Sequence, residues 1–185
     1  MRRRRVRTEA EPPGPEVSLE IAARFLGTRP RSGWEVERRL RRAQASDEVI
    51  AATIERLTGL GLVDDLAFSR WWLEQRDRHA PRGRRMVEAE LRQHGVGRDV
   101  IELMREELAV VEADEATSID AEDLPVTEEA RARIALAQHL RGRSLPDDPK
   151  ALQRVGMFLV RRGFDPETAR STVRAAARAE SDNED

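Results

Sequence analysis

With 185 residues, 39% hydrophobic and 37% charged side chains and a formal net charge of −2, the chain has room for one ordinary domain or a few very small ones. The lack of cysteine excludes a disulfide framework, a thiolate zinc site and a thiol nucleophile, and makes the cytoplasm the simplest setting. No apolar run follows the basic start that would serve as a secretory segment or a membrane span.

Residues 1–15 carry Arg2, Arg3, Arg4, Arg5 and Arg7 and read as a disordered arm, either solvated or able to touch an anionic surface. Helical signals begin next. Val17, Ile21 and Phe25 recur every four residues, Ser32 and Glu35 form a capping-box pattern, and Ser46 precedes Asp47 and Glu48 at a third start. These predict three short helices over residues 16–62. A second set is expected over 63–111, from "DDLAFSRWWLEQR", a segment opened by Pro81, and one beginning near Arg98. Residues 112–126 read as an acidic linker. Helical pattern resumes over 127–179, at Thr127, "DDPK" and "DPET", where Asp-Pro supplies a cap and a first-turn proline. Gly27, Gly61, Gly95, Gly142 and Gly163 fall where helices should stop. Residues 180–185 form an acidic tail.

Internal repetition is visible. "VERRLRRAQASDEVI", "VEAELRQHGVGRDVI" and "VGMFLVRRGFDPETA" align without gaps, so that Val36, Val87 and Val155 coincide, as do Leu40, Leu91 and Leu159. Gly95-Val96 and Gly163-Phe164 then stand opposite Gln44-Ala45, a degenerate version in the first copy. Strand signals are missing. The expected fold is all-α: a tandem array of three three-helix, helix-turn-helix-like repeats, each small enough to gain from stacking on its neighbour. A helix of about fourteen residues is roughly 21 Å long, so three units side by side are expected to form an elongated array.

Charge is segregated. Residues 29–42 hold six arginines against Glu35 and Glu37, and residues 76–98 hold seven against Asp77, Glu88 and Glu90. Lys150 is the single lysine, so the positive charge is nearly all guanidinium, suited to planar contacts or simply the product of a GC-rich genome. Within "LVDDLAFSRWWLEQR", Phe68 and Trp72 fall on a core stripe behind Asp64 as helix cap. Seating both Leu73 and Trp71 in one seam would need an apolar face about 200° wide. Trp71 is therefore expected at a rim, where it covers a junction between copies or meets a partner.

An enzyme reading has little to work with. His79, His94 and His139 are scattered, and no HExxH or glycine-rich phosphate loop is present. Asp64 and Asp65 precede an apolar helical stripe, which makes them a cap and a first-turn dipole partner rather than metal ligands. No catalytic, cofactor-binding or metal-binding residues are expected. Sequence-specific DNA reading is disfavoured, because the ends that would enter the major groove read Ser46-Asp47-Glu48, Arg98-Asp99 and Asp165-Pro166-Glu167. Non-specific binding of nucleic-acid backbone remains open.

"ARFLGTRPRSGWEVERRLRR", "GLVDDLAFSRWWLEQR", "PRGRRMVEAELRQHGV" and "MFLVRRGFDPETARSTV" resemble the successive motifs of RecX regulatory proteins, the bacterial modulators of RecA recombinase. The resemblance covers residues 19–108 well and 127–178 more loosely. It departs from the family at "RRAQAS", where a basic residue, glycine and an apolar residue are usual, and the Arg-rich start and acidic linker are extras. It implies a cytoplasmic, monomeric, non-catalytic protein that binds in the groove of the RecA filament on single-stranded DNA, acting in recombination, DNA repair and the SOS response. By that resemblance the partner contacts fall on Arg38, Arg41 and Arg42 in the first copy, Arg82, Arg84 and Arg85 in the second, and Arg161 and Arg162 in the third, with Trp71 beside them. The alternative is a non-specific nucleic-acid-binding helical module.

Overall fold

The structure, a computed structural model, describes residues 11–115 and 127–181. The arginine cluster at 2–7, residues 116–126 of the expected linker and residues 182–185 of the expected tail lie outside the described residues. Nine helices and no strand are present among the described residues, in an all-α repeat fold. The chain divides into two units, Met1–Asp65 and Leu66–Asp185.

The first unit holds α1 (Pro15–Leu26), α2 (Gly33–Arg42) and α3 (Asp47–Gly59). The expected capping box is formed: Glu35 N donates to Ser32 Oγ at 3.2 Å and Ser32 N to Glu35 Oε2 at 3.4 Å. Asp65 Oδ1 accepts from Gly33 N at 2.8 Å, so a carboxylate also sits at the positive end of α2. The core gathers Ala22, Val36, Leu40, Ile50, Leu57 and Val63. Burial on α1 differs from the four-residue spacing of Val17, Ile21 and Phe25. Ser18 and Ala22 are the buried pair, while Val17 is 52% exposed. Small side chains face inward there, and the Ser18 hydroxyl is satisfied by Pro13 O at 3.3 Å.

The second unit contains two helical triplets. The first comprises α4 (Asp65–His79), α5 (Arg84–Gln93) and α6 (Arg98–Glu115), so α6 runs into the expected linker; its core is Phe68, Leu73, Val87, Leu91, Val96, Ile101 and Met104. The other comprises α7 (Glu128–Leu140), α8 (Pro149–Arg161) and α9 (Pro166–Ser181), around Leu136, Leu145, Val155, Leu159, Phe164 and three alanines.

The aligned positions adopt the same geometry in all three triplets. After each middle helix the chain passes through a left-handed residue, Gln44 (φ 65°), Gly95 (φ 75°) or Gly163 (φ 91°). Immediately beyond it the backbone nitrogens of Ala45, Val96 and Phe164 return to the carbonyls of Leu40, Leu91 and Leu159 at 3.2, 3.1 and 3.3 Å. This is a Schellman-type closure that seats an apolar residue over the last turn. The first copy keeps the conformation with glutamine, at a steric cost that glycine avoids. Gly27, read as a helix stop, ends α1 in ordinary right-handed conformation at φ −63°.

Among the contacts that join the triplets of the second unit, two stand out for how closely they are packed. Gly83, just before α5, donates its N–H to Arg162 O at 3.0 Å, and it lies so near Gly163 that a Cβ would collide with the Gly163 carbonyl and the Phe164 nitrogen. Farther along, Arg131 Nε of α7 donates to Asp77 Oδ2 of α4 at 3.1 Å, with side chains only 2% and 5% exposed.

Candidate functional site

The arginines singled out from the sequence fall into two groups, with Arg162 apart from both. Arg41, Arg82 and Arg84 are held by carboxylates. Arg41 pairs with Glu37 at 2.8 Å and Asp47 at 3.6 Å. Arg82 pairs with Glu90, and Arg84 reaches Glu112 at 3.1 Å and Glu128 at 3.6 Å while its backbone N–H donates to Glu128 Oε1. Arg38, Arg42, Arg85 and Arg161 are exposed and make no ion pair among the described residues. Arg38 lies over the Trp34 ring, 5.0 Å from its centroid. Arg162 is half-buried, its Nε donating to Pro81 O at 3.2 Å and its guanidinium 5.3 Å from the Phe158 centroid.

Glu90, 7% exposed on α5, organises the second triplet's charged surface. One of its oxygens accepts from Trp72 Nε1 and from Arg76 Nε, both at 2.8 Å, and the carboxylate also pairs with Arg82. Arg76 lies over the Trp72 ring at 4.6 Å, so the indole supports the cation with its face and the anion with its edge. Burial, then the nearby Arg76 and Arg162 charges, lower the Arg82 pKa from its ordinary value. Trp71, half-buried, packs 5.9 Å from Phe68, and His94 stands 4.3 Å from Trp72. The adjacent tryptophans thus divide the work: Trp71 thickens a small core, and Trp72 anchors an ion cluster beside it. Leu73 occupies the buried position between them and the helix end.

Asp77, Arg131, Glu90 and Gly83 were not among the expected site residues. Asp77 follows Leu73 by one helical turn on the same face, an ionisable group on an apolar stripe, and that placement is its sequence signal. Burial pushes the Asp77 carboxyl up to about 6, against the lowering effect of the Arg131 charge and hydrogen bond. Its second oxygen has no hydrogen-bond partner. Among the described residues no group of three or more His, Asp or Glu is placed to hold a metal ion, and no helix is long and apolar enough to cross a membrane.

Residues 19–57 match the family description "RecX, first three-helix domain", and residues 64–103 match "RecX, second three-helix domain". The chain is 31% identical over 172 residues to "Regulatory protein RecX" of Mycobacterium avium (strain 104), covering 92% of this chain and 91% of that protein. The chain belongs to the RecX family. A second RecX relative, from Thermobifida fusca (strain YX), is 33% identical over 180 residues, or 91% of this chain and 88% of that one. In fold, the chain resembles the crystal structure of RecX from Lactobacillus salivarius, with a TM-score of 0.69 at 14% identity over 88% of this chain and 96% of that chain. Another RecX crystal structure aligns with a TM-score of 0.64 at 18% identity, over 85% of this chain and 72% of that chain. Those two likenesses speak to the fold alone. The RecX-type matches fall on the middle helices and turns that carry Arg38, Arg41, Arg42, Arg82, Arg84 and Arg85.

Proposed function

We propose that this chain is a non-catalytic regulator that binds the RecA–DNA filament and modulates RecA assembly, ATPase activity and strand exchange, mainly by inhibition, in recombination and DNA repair. The observation that carries this reading is the similarity, across nine-tenths of the chain, to proteins named regulatory protein RecX. The three repeats, taken as residues 16–62, 63–111 and 127–179, act as linked contact patches on a monomer, with Arg38, Arg41, Arg42, Trp71, Arg82, Arg84, Arg85, Arg161 and Arg162 facing the partner. Linkage makes each further contact intramolecular, so several weak patches on one chain hold a polymer more tightly than any one alone. A ligand that favours one filament state shifts assembly only by its difference in affinity between the states. Exposed arginines such as Arg38, Arg42, Arg85 and Arg161 are available for such binding without breaking an existing ion pair.

Addition of the purified chain to RecA on single-stranded DNA should lower ATP hydrolysis and strand exchange in a dose-dependent way. Unchanged rates at a chain concentration well above that of RecA would end the proposal. The second reading, a non-specific nucleic-acid module, is favoured by the same exposed guanidiniums. It predicts equal binding to bare strand and preformed filament, with a steep salt dependence for both. Sequence-specific reading is opposed by the carboxylates in the first turns of α3, α6 and α9, namely Asp47, Asp99 and Glu167, where groove-reading helices would meet phosphate.

A further inference from the structure

Where α8 passes the end of α7, the third triplet has two adjoining hollows of about 520 and 430 Å³ that share His139, Arg143 and Phe158 in their walls. Arg141 and Arg162 complete the charged lining of one and Arg154 and Arg161 that of the other, and neither wall contains a carboxylate. Elsewhere in the same unit Arg70, Arg76, Arg82, Arg84, Arg92 and Arg105 each hold a glutamate, while Arg85 is exposed and makes no ion pair among the described residues. The five around the hollows form no ion pair among the described residues. Two neighbouring acids are engaged by backbone instead, Asp148 with Ala151 N at 2.9 Å and Glu180 with Leu145 N at 3.1 Å.

Two guanidiniums are oriented in advance. Arg162 and Arg143 each spend their Nε on a backbone carbonyl, Pro81 O at 3.2 Å and Leu140 O at 3.1 Å, which directs the terminal nitrogens away from those carbonyls. Arg141 sits in left-handed conformation at φ 51°, ψ 44°, the helix-capping position that glycine takes without steric cost, and Gly142 follows at φ 77°. At the rim of a cationic hollow, the helix cap that glycine would take without steric cost thus carries a guanidinium. Beside the arginines, His139 is stacked on Phe158 with ring centroids 3.9 Å apart and 17° between planes.

We infer that these hollows form a binding site for the phosphate groups of a phosphorylated ligand. Planar guanidiniums match phosphate oxygens in pairs, concave walls of one sign concentrate the potential, and the aromatic stack offers a face for a base. A free nucleoside polyphosphate and a nucleic-acid strand share this chemistry. The site has Arg161 and Arg162 in common with the proposed filament surface but needs no recombinase, so either reading can fail while the other stands.

The test uses the full chain, inorganic triphosphate, and an oligothymidylate of about twelve nucleotides. Proton NMR follows the ring signals of the three histidines, His79, His94 and His139, and calorimetry gives affinities. The His139 signal should move with at least one probe. Triphosphate alone marks a small phosphorylated ligand, the oligomer alone marks a strand, and both mark a site that takes phosphate from either source. Arg141→Gly should weaken binding about tenfold or more, the loss of one charge-assisted contact, without lowering the thermal midpoint. Arg154→Ser with Arg161→Ser on α8 should weaken it further while leaving the Arg141 turn intact. A His139 signal that moves with neither probe, an Arg141→Gly chain that binds as tightly as its parent, or displacement of triphosphate by polyglutamate at equal affinity would overturn the inference.

Discussion

Replacing Arg131 by methionine probes the buried contact between α4 and α7 most directly. In the native chain the pair is nearly dry and joined by a single 3.1 Å hydrogen bond, and one Asp77 oxygen has no partner. Desolvation so outweighs the attraction that the carboxyl is pushed up from 3.8 to about 6. A displacement of about two pH units corresponds to roughly 3 kcal/mol against the ionised form. Arg131→Met leaves Asp77 buried without a cation and should cost about 3–5 kcal/mol at neutral pH. The loss should shrink near pH 4, where the orphaned carboxyl is protonated. The double replacement Asp77→Leu with Arg131→Met removes both charges and should fall within about 1 kcal/mol of the native chain, or above it. A raised folded-state pKa means that the native state binds more protons than the unfolded state between about 4 and 6. Asp77's stabilising contribution is therefore complete below pH 3.8 and is lost as pH rises through about 6. Relative to the double variant, the native chain should lose about 3 kcal/mol across that window. Urea unfolding in a Trp34→Phe background, followed by the fluorescence of Trp71 and Trp72, reports on the second unit. A double variant as damaged as Arg131→Met, or a native-minus-double difference flat with pH, would refute the reasoning.

Four further outcomes are expected. Gly83→Ala should destabilise the second unit by more than 2 kcal/mol, because the added Cβ meets backbone that has no side chain to move aside; urea midpoints measure it. Gln44→Gly should raise the stability of the first unit by about 0.5–1 kcal/mol, the relief at φ 65° less the added freedom of the unfolded chain, seen as an upward shift in the Trp34 fluorescence transition. Glu90→Ala should cost about 3 kcal/mol by leaving Trp72, Arg76 and Arg82 without their shared acceptor, with a blue-to-red change in tryptophan emission as the ring loosens. Charge reversal at Arg85 should weaken filament binding with the urea midpoint unchanged, whereas Arg84→Glu should lower the midpoint as well, because it breaks contacts to Glu112 and Glu128.

The local features were readable and the distant ones were not, for a reason visible in particular residues. The capping box at Ser32 and Glu35 and the alignment of Gln44 with Gly95 and Gly163 are properties of a few consecutive residues, and the structure forms them where the pattern places them. The Leu40, Leu91 and Leu159 register survives even where glycine is replaced, because the apolar residue beyond the turn requires the same closure. The two arginine-rich blocks are another matter. Counting charges along the chain makes residues 76–98 strongly basic, yet Arg84 is matched by Glu112 and Glu128, and Asp77 by Arg131, from helices that only the tertiary fold brings near. Neutralisation therefore leaves a different pattern from the one that sequence blocks suggest. Arg82 and Arg84 spend much of their charge inside the second unit, while Arg85 between them stays exposed. The unmatched guanidiniums at Arg141, Arg143, Arg154, Arg161 and Arg162 come from the turn after α7 and from α8 and its C-terminal end, and no ion pair among the described residues neutralises them. A partner that recognises positive charge meets the residue left over after internal pairing, so the surface to mutate first is the set of arginines the fold itself does not use.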